Sequence, residues 1–549
     1  MTWLRRISVV FLFFLACKGV ESASILALFS SLSFSDHLVF RSYISLLVQR
    51  GHSVVMMTPY PGNFNSQEME RIVELNVGTE SAPFWEEYKR LYTDTDDYFP
   101  RLKSMNELSL KLAIAQLKSK PMTSLLINPN VKFDLVITEA DVPLLYAIAE
   151  KYQTPHISIT TSSGKIHQYE SKGTPIHPIL YPDVNTLSHR NLTRWQKIVE
   201  IYRYFSTRNE YYNHYLPLCD VAAKKMFGLN RELIEVEYDI DILLIASNPL
   251  LIGNRPTVPA ISFVDRLQIK PGFPLQQVHE QIITVWYSMF LIFVLFKLNC
   301  SQELKTILDS APKGVIYFSF GAIQEPEHLS SSILQTLADA FREMPFTVLW
   351  KIGNTTMVNL SGNVIANVWF PQQEILAHPN VKAFITHGGP RSLEEAIFYE
   401  VPIIGLPTVR SRKVFISEIT RYGAGEILDI YSLEKEALIQ VLTEVATNNK
   451  YKNEMIKLKS MVVSPVISGP DNAVWWTEYV LRNGGAKYLR SPAVGISFVK
   501  YYMLDIAGIL LSVSLILLSA AYFMLRIVYR RLYARFVNKF GDKGKFKAL

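Results

Sequence analysis

The residues between one strand pattern and one helix pattern have the types that an anion site requires. The run VKAFIT (381–386) is apolar and of strand length, it ends at His387-Gly388-Gly389, and SLEEAIFYE then has helical spacing. Such a strand–turn–helix unit places a helix N-terminus at the carboxyl edge of a parallel sheet, where backbone N–H groups bind anions. The glycines let an anion approach the backbone, and Ser392 can cap the helix or reach an anion oxygen. An ordinary turn, with glycines used only for backbone geometry, fits the same pattern.

A second set of reactive side chains follows the first strand pattern. SILALF (24–29) has the composition of a buried strand, and the loop after it ends in Asp36-His37, at the edge where open α/β sheets bind ligands. Side chains of this loop can therefore contact a bound ligand. A capping or solvent-facing histidine fits the position of His37 equally well. The strand pattern FDLVIT ends at Glu139, and Asp141 lies close to it.

The elements that must position these residues alternate between strand and helix patterns in both halves of the chain. This alternation predicts two doubly wound, Rossmann-like α/β domains that face each other across a cleft. We expect the first domain at residues 24–252 and the second at 313–490, joined by a proline-rich linker at 253–312. The linker contains an atypical apolar insertion at 278–301, whose longest apolar run is short for a membrane span.

Composition and charge exclude several classes of protein. With 49% hydrophobic and 19% charged residues, the chain can bury a large core and is not disordered in bulk. The net charge is +7, and the residues from Arg526 onward hold eight Lys or Arg and one acid, so the tail accounts for the excess. A nucleic-acid-binding body is therefore not expected. Three cysteines are too few for a disulfide framework.

The two ends of the chain predict a membrane-anchored protein of the secretory pathway. Residues 1–23 have the basic, apolar and small-residue regions of a signal peptide, and 503–525 is an apolar stretch long enough to span a bilayer. The basic tail, 526–549, is typical of a cytosolic flank. Lys545 and Lys547 match a dilysine retrieval signal. We therefore expect a single-pass type I protein of the endoplasmic reticulum with a lumenal, glycosylated body.

Longer motifs resemble a known family. The segments ILALF…RGHSVVMMTPYP, GVIYFSFG, VLWK and FPQQEILAHPNVKAFITHGG…VPIIGLP are similar to those of membrane-bound animal UDP-glycosyltransferases, and most similar to insect members. The resemblance covers nearly the whole chain except 278–301. It implies a GT-B fold and an inverting transfer of a hexose from a UDP-sugar to a hydroxyl of a small lipophilic acceptor, a reaction typical of detoxification. It implies no metal and no cofactor beyond the UDP-sugar co-substrate.

The resemblance also assigns a donor site. Trp369 matches the residue that stacks on uracil, Gln372 the residue that contacts base and ribose, and Glu395 the acid that binds the ribose hydroxyls. His387 matches the histidine that contacts the diphosphate, and the rest of that anion site is formed by Gly388, Gly389 and Ser392.

Three positions depart from the family pattern. Ser411 and Arg412 stand where an Asp-Gln pair holds the sugar hydroxyls, although arginine has no hydrogen-bond acceptor. The catalytic histidine aligns with Asp36, and His37 follows one residue later, a rotation of about 100° if the helix begins there. The orienting acid aligns with Glu139, and Ala322 replaces a serine near the diphosphate.

Two classes of function follow. The first is an active UDP-glycosyltransferase whose base is His37 or Asp36, oriented by Glu139. The second is a catalytically impaired protein on the same fold, which binds UDP or a lipophilic ligand, or forms homo- or hetero-oligomers with active relatives.

Overall fold

The structure is a computed structural model that describes residues 22–62, 64–93, 98–181, 192–269, 303–321, 329–353, 359–463 and 467–540. Residues 1–21 of the predicted signal peptide, the insertion 278–301, Ala322 and the dilysine pair lie outside these residues. The chain divides into two compact units, Met1–Ser491 and Pro492–Leu549.

The first unit contains two all-parallel sheets. The N-terminal sheet has seven strands in the order β3-β2-β1-β4-β5-β6-β7. Their bounds are β1 Ser24–Leu28, β2 Ser53–Thr58, β3 Ile72–Asn76, β4 Leu135–Glu139, β5 His156–Thr160, β6 Ile242–Ile245 and β7 Ile261–Phe263. The C-terminal sheet has six strands in the order β10-β9-β8-β11-β12-β13. Their bounds are β8 Val315–Ser319, β9 Thr347–Lys351, β10 Val364–Asn367, β11 Val381–Thr386, β12 Ile403–Gly405 and β13 Gly425–Ile427.

Helices connect the strands in both domains. Those of the N-terminal domain are α1 Phe34–Gln49, α2 Ser66–Met69, α3 Gly78–Ser81, α4 Trp85–Thr93, α5 Tyr98–Leu117, α6 Lys120–Leu126, α7 Tyr146–Tyr152, α8 Ile166–Glu170, α9 Arg194–Glu210, α10 Leu216–Phe227, α11 Leu233–Tyr238 and α12 Pro249–Ile252. The C-terminal domain begins with a helical segment at 303–310. Its further helices are α13 Ser331–Glu343, α14 Gln372–Leu376, α15 Pro390–Phe398, α16 Arg410–Arg421, α17 Lys435–Thr447 and α18 Asn449–Val463, followed by α19 Gly469–Asn483.

The strands are almost continuously apolar because both faces of each sheet are covered. Every residue of β4, β5, β6 and β8 is buried, as expected of parallel sheets with helices on both sides. In the N-terminal sheet the strand order reverses between β1 and β4, and in the C-terminal sheet between β8 and β11. Open α/β sheets bind ligands at such switch points. The prediction of two doubly wound α/β domains is confirmed.

Two details differ from the domain bounds expected from sequence. The short strand β7 lies within the expected linker, and α19 packs against the N-terminal sheet although it follows the C-terminal domain. Ala473, Val474 and Val480 of α19 belong to the same buried cluster as β1 and α1. The strand β7 has three residues among prolines, and the return of α19 depends on packing between distant segments, so neither is visible as a local pattern.

The second unit contains α20, Phe498–Tyr501, and α21, Leu504–Phe540. The helix α21 is long and apolar enough to cross a membrane. Its 37 residues correspond to a length of about 55 Å, whereas the hydrocarbon layer is about 30 Å thick. The apolar part and part of the basic tail therefore form one continuous helix.

Candidate functional site

The anion-binding turn follows β11 at the switch point of the C-terminal sheet. Gly388 has φ +91°, a conformation that side chains rarely adopt, and Gly389 is the N-cap residue of α15. The N–H groups of the first turn of a helix have no partner within the helix. Because Pro390 at the first position of α15 has no N–H, the groups available to an anion at this turn are those of Arg391 and Ser392. The predicted capping role of Ser392 is wrong, because the N-cap residue is Gly389 and Ser392 lies inside the helix. The Oγ of Ser392 accepts a hydrogen bond from Gln372 Nε2 at 3.1 Å, and its contact with an anion stays a prediction.

His387 lies beneath this turn, next to the end of β8. A Cβ placed on Gly321 would lie 2.9 Å from His387 Cε1, so this close approach requires glycine. Burial, and to a lesser extent Lys351, lowers the pKa of His387 to about 3. The imidazole is therefore neutral at physiological pH, and its buried Nδ1 has no hydrogen-bond partner among the residues that the structure describes. A neutral histidine with a free ring nitrogen can bond a phosphate oxygen but does not supply charge.

Lys351, at the end of β9, supplies the positive charge that His387 lacks. Its Nζ donates to the carbonyl oxygen of Gly321 at 2.8 Å and lies 5.6 Å from the centre of the Trp369 ring. Sequence reasoning noted the VLWK segment only as part of the family resemblance and missed this role. A lysine at the carboxyl end of a strand beside the switch point was the available signal.

Three of the predicted nucleotide-binding residues form one hydrogen-bonded group. Gln372 Nε2 donates to Glu395 Oε2 at 2.7 Å as well as to Ser392, and Gln373 Nε2 donates to Glu395 Oε1 at 3.0 Å. Burial raises the pKa of Glu395 to about 7, although the two glutamines oppose this shift. Trp369 lies beside them and is 41% exposed, so its ring is accessible to a flat ligand.

The opposite edge of the cleft is the loop between β1 and α1. Glu139, at the end of β4, accepts hydrogen bonds from the backbone N–H groups of Ser30 and Ser31 at 2.9 and 2.8 Å. Burial, followed by the nearby charges of Asp141 and Asp36, raises the pKa of Glu139 to about 8. Within the described part of the chain, Glu139 therefore holds the backbone of this loop and does not bond the ring of His37.

His37 is completely buried within the N-terminal domain. Its Nε2 lies 2.7 Å from the carbonyl oxygen of Ser31, and its Nδ1 lies 3.2 Å from Thr58 Oγ1. Because a carbonyl oxygen only accepts, Nε2 carries the proton and Nδ1 accepts from the hydroxyl. Burial lowers the pKa of His37 to about 3. Both ring nitrogens are thus occupied inside the domain.

Asp36 precedes His37 and is only partly buried. It lies in the first turn of α1, after the N-cap residue Ser33, and the side chain of Thr161 is hydrogen-bonded to its carboxylate. Burial raises the pKa of Asp36, and this effect is opposed by these hydrogen bonds and by the charge of Arg391. Because Arg391 belongs to the C-terminal domain, the carboxylate faces the cleft, whereas the side chain of His37 points inward.

The two domains meet around this cleft. Phe34, at the start of α1, contacts Trp369 edge to face with ring centres 5.9 Å apart. Arg412 lies in the first turn of α16, and burial lowers its pKa to about 10, although the charges of Asp36 and Tyr88 oppose this shift. Ser411 precedes it and is half-buried. The residues predicted to bind the nucleotide, to act as the general base and to bind the sugar therefore line the facing edges of the two sheets.

Known proteins resemble this chain in sequence and in fold. The family model described as UDP-glucoronosyl and UDP-glucosyl transferase matches residues 297–541. An ecdysteroid UDP-glucosyltransferase of Spodoptera littoralis nuclear polyhedrosis virus is 28% identical over 511 residues, which cover 89% of this chain and 94% of that protein. UDP-glucuronosyltransferase 2B15 of Homo sapiens is 25% identical over 536 residues, which cover 93% of this chain and 94% of that protein. The resemblance to the UDP-glycosyltransferase family is thus supported by the family model over residues 297–541 and by relatives over nearly the whole chain.

Solved structures agree with this assignment at the level of the fold. The glycotransferase of kitacinnamycin superposes with a TM-score of 0.53 at 15% identity, covering 83% of this chain and 98% of that protein. The calicheamicin glycosyltransferase CalG4 superposes with a TM-score of 0.50 at 16% identity, covering 84% of this chain and 99% of that protein. The predicted GT-B architecture is confirmed.

Proposed function

We propose that this chain transfers a hexose from a UDP-sugar to a hydroxyl group of a small lipophilic acceptor, with inversion at the anomeric carbon and without a metal. One observation carries the proposal. A partly buried carboxylate, Asp36, faces an accessible tryptophan and a helix N-terminus across one cleft. These are the groups needed to deprotonate an acceptor, to stack on a nucleobase and to stabilise a diphosphate.

The nucleotide is bound by the C-terminal domain. Uracil stacks on the exposed ring of Trp369, and the ribose hydroxyls donate to Glu395. The diphosphate lies at the start of α15 beside the free nitrogen of His387. Lys351 and the helix N-terminus stabilise the charge that develops on the diphosphate as the bond to the sugar breaks.

The base is Asp36 rather than His37. The acceptor hydroxyl gives its proton to the Asp36 carboxylate, the acceptor oxygen forms a bond to the anomeric carbon, and the bond from that carbon to UDP breaks. Burial raises the pKa of Asp36, which makes it a stronger base than an exposed aspartate. Glu139 assists by holding the backbone of Ser30 and Ser31, which fixes the loop that carries Asp36.

The donor sugar and the acceptor are assigned only by class. Relatives of this chain are named glucosyltransferases and glucuronosyltransferases, and Arg412 beside the sugar position suits a sugar with a carboxylate. The acceptor site is formed by aromatic residues of the N-terminal domain, including Trp85 and Tyr88, whose ring centres are 5.9 Å apart. We place the protein in the endoplasmic reticulum membrane as a single-pass protein with a lumenal body and a short cytosolic tail.

The test is sugar transfer by microsomes that contain the full chain, with UDP-glucose and UDP-glucuronic acid as donors and a panel of lipophilic alcohols and phenols as acceptors. We expect transfer that is lost in Asp36→Asn. Microsomes that bind UDP but transfer neither sugar would favour the second function, a nucleotide-binding protein without transferase activity. The specific observation that favours this alternative is the replacement of sugar-binding acceptors by Ser411 and Arg412.

A further inference from the structure

We infer that Arg391 is a positioning residue, which holds the end of β5 and, through Thr161, the carboxylate of Asp36 when the two domains are closed. The inference rests on the proposed function, because it assigns a partner to the base proposed above. Arg391 lies in the first turn of α15, two residues after its N-cap Gly389. The helix that presents its N-terminus to the diphosphate thus also carries the arginine.

The guanidinium group of Arg391 is fixed at the junction of the two domains. Its Nη2 donates to the carbonyl oxygen of Thr161 in the N-terminal domain at 2.8 Å, and its Nη1 lies 3.0 Å from Glu394 Oε2. Glu394 Oε2 also accepts from Gln268 Nε2 at 3.1 Å. Arg391 is only 7% exposed. A buried arginine with a bond in each domain has one orientation, and that orientation requires the domains to be closed.

Thr161 connects this arginine to the base. It follows β5, its carbonyl oxygen accepts from Arg391, and its side chain is hydrogen-bonded to Asp36. The preceding residue, Thr160, donates from its hydroxyl to Asp141 Oδ2 at 2.9 Å. The end of β5 therefore holds two carboxylates, and Arg391 reaches this strand end from the other domain.

The charges around Asp36 decide what Arg391 does there. Burial and the charge of Asp141 disfavour the carboxylate form of Asp36, whereas the charge of Arg391 favours it. Lys165 neutralises part of Asp141 through an ion pair of 2.9 Å. The other titratable or charged groups that face Asp36 are Glu139, Tyr60, Tyr88 and Arg412. If the domains separate, Asp36 loses part of its burial and the positive charge of Arg391, whereas Asp141 stays on its own domain.

This arrangement links donor binding to the chemistry of the base. UDP at the N-terminus of α15 would fix the helix that carries Arg391, and Arg391 would then hold Asp36 ready to accept a proton. In the closed arrangement the leaving group, the arginine and the proposed base are therefore held in one site.

The first test is the pH dependence of transfer by the full chain with Arg391→Gln, Arg391→Lys and the matched control Arg342→Gln. Arg342 is an exposed arginine of α13 that pairs with Asp339 away from the cleft. We expect the acid limb of kcat/KM to move to higher pH in Arg391→Gln, with about a tenfold loss on that limb, the factor that corresponds to one pH unit. Arg391→Lys should keep the limb closer to its original position. An equal loss at every pH in Arg391→Gln would show a merely structural role and overturn the inference.

The second test does not depend on turnover. Hydrogen exchange of the full chain in detergent micelles is measured with and without UDP, for the same variants. UDP should protect residues 156–163 in the unmodified chain and in Arg342→Gln, but not in Arg391→Gln, in which α15 alone gains protection. Equal protection of 156–163 in Arg391→Gln, or none in the unmodified chain, would overturn the link between the domains. Protection without any sugar transfer would reject the proposed function while leaving this link intact.

Discussion

Replacing two adjacent residues, Asp36 and His37, separates the proposed base from a buried structural histidine. In Asp36→Asn the side chain keeps its shape but cannot accept a proton. General base catalysis contributes about 10²- to 10⁴-fold, or about 3–5 kcal/mol of transition-state stabilisation. We therefore expect kcat/KM to fall by that factor, while UDP affinity stays unchanged because the nucleotide contacts lie in the other domain.

His37→Ala should instead affect stability. The substitution removes two buried hydrogen bonds, to the Ser31 carbonyl and to the Thr58 hydroxyl. Each such bond contributes about 0.5–1.5 kcal/mol, so the free energy of unfolding should fall by about 1–3 kcal/mol before any cost of the cavity. The folded fraction should retain transfer within a few-fold of the unmodified chain.

The assay measures transfer per mole of folded protein in microsomes, with UDP binding to the solubilised chain as the count of folded molecules. Thermal unfolding of the same preparations gives the change in stability. The assignment is refuted if His37→Ala remains folded and binds UDP but loses at least 100-fold in kcat/KM, whereas Asp36→Asn does not. A parallel loss in both variants would indicate that the conformation of the loop, and not the carboxylate, controls the reaction.

Three further changes address the donor side of the cleft. UDP affinity should rise as pH increases through about 7, the pKa of Glu395, because the ribose hydroxyls donate to the ionised carboxylate. In Glu395→Gln, the UDP affinity measured by titration calorimetry should not change over this pH range. Gly389→Ala should weaken UDP binding by about tenfold, because its Cβ would lie 3.0 Å from His387 Cε1 beside the anion, whereas Gly362→Ala, with no atom within 4 Å, should bind normally. Arg412→Gln should lower the ratio of transfer from UDP-glucuronic acid to transfer from UDP-glucose, and an unchanged ratio would show that Arg412 does not contact the sugar.

The sequence was sufficient to predict the fold because parallel strands covered on both faces are short, nearly continuous apolar runs. VKAFIT and FDLVIT correspond closely to β11 and β4, and the predicted reactive residues follow these strands directly. Position at the carboxyl end of a strand is a local property, so it can be identified without knowledge of the contacts between distant residues.

Contacts between domains were not predictable in this way. The bond from Arg391 to Thr161 joins residues 230 positions apart, and no periodicity indicates which arginine of a helix crosses a cleft. The orientation of Asp36 and His37 has a similar origin. They differ by about 100° around the first turn of α1, and the side that faces the cleft depends on how Ser33 caps the helix and how Glu139 holds the preceding loop.

Two departures from the family pattern are connected by charge. An aspartate at position 36 adds a negative charge beside Asp141 and Glu139, which would be unfavourable in a partly buried cleft without a compensating cation. Arg412, at the position where the resemblance predicts a neutral sugar-binding residue, lies close enough for the charge of Asp36 to oppose the lowering of its pKa by burial. Arg391 supplies a second positive charge from the same domain. The positive charges of Arg412 and Arg391 therefore offset the negative charge of Asp36 across the cleft. Because both arginines belong to the other domain, they do so fully only when the domains are closed.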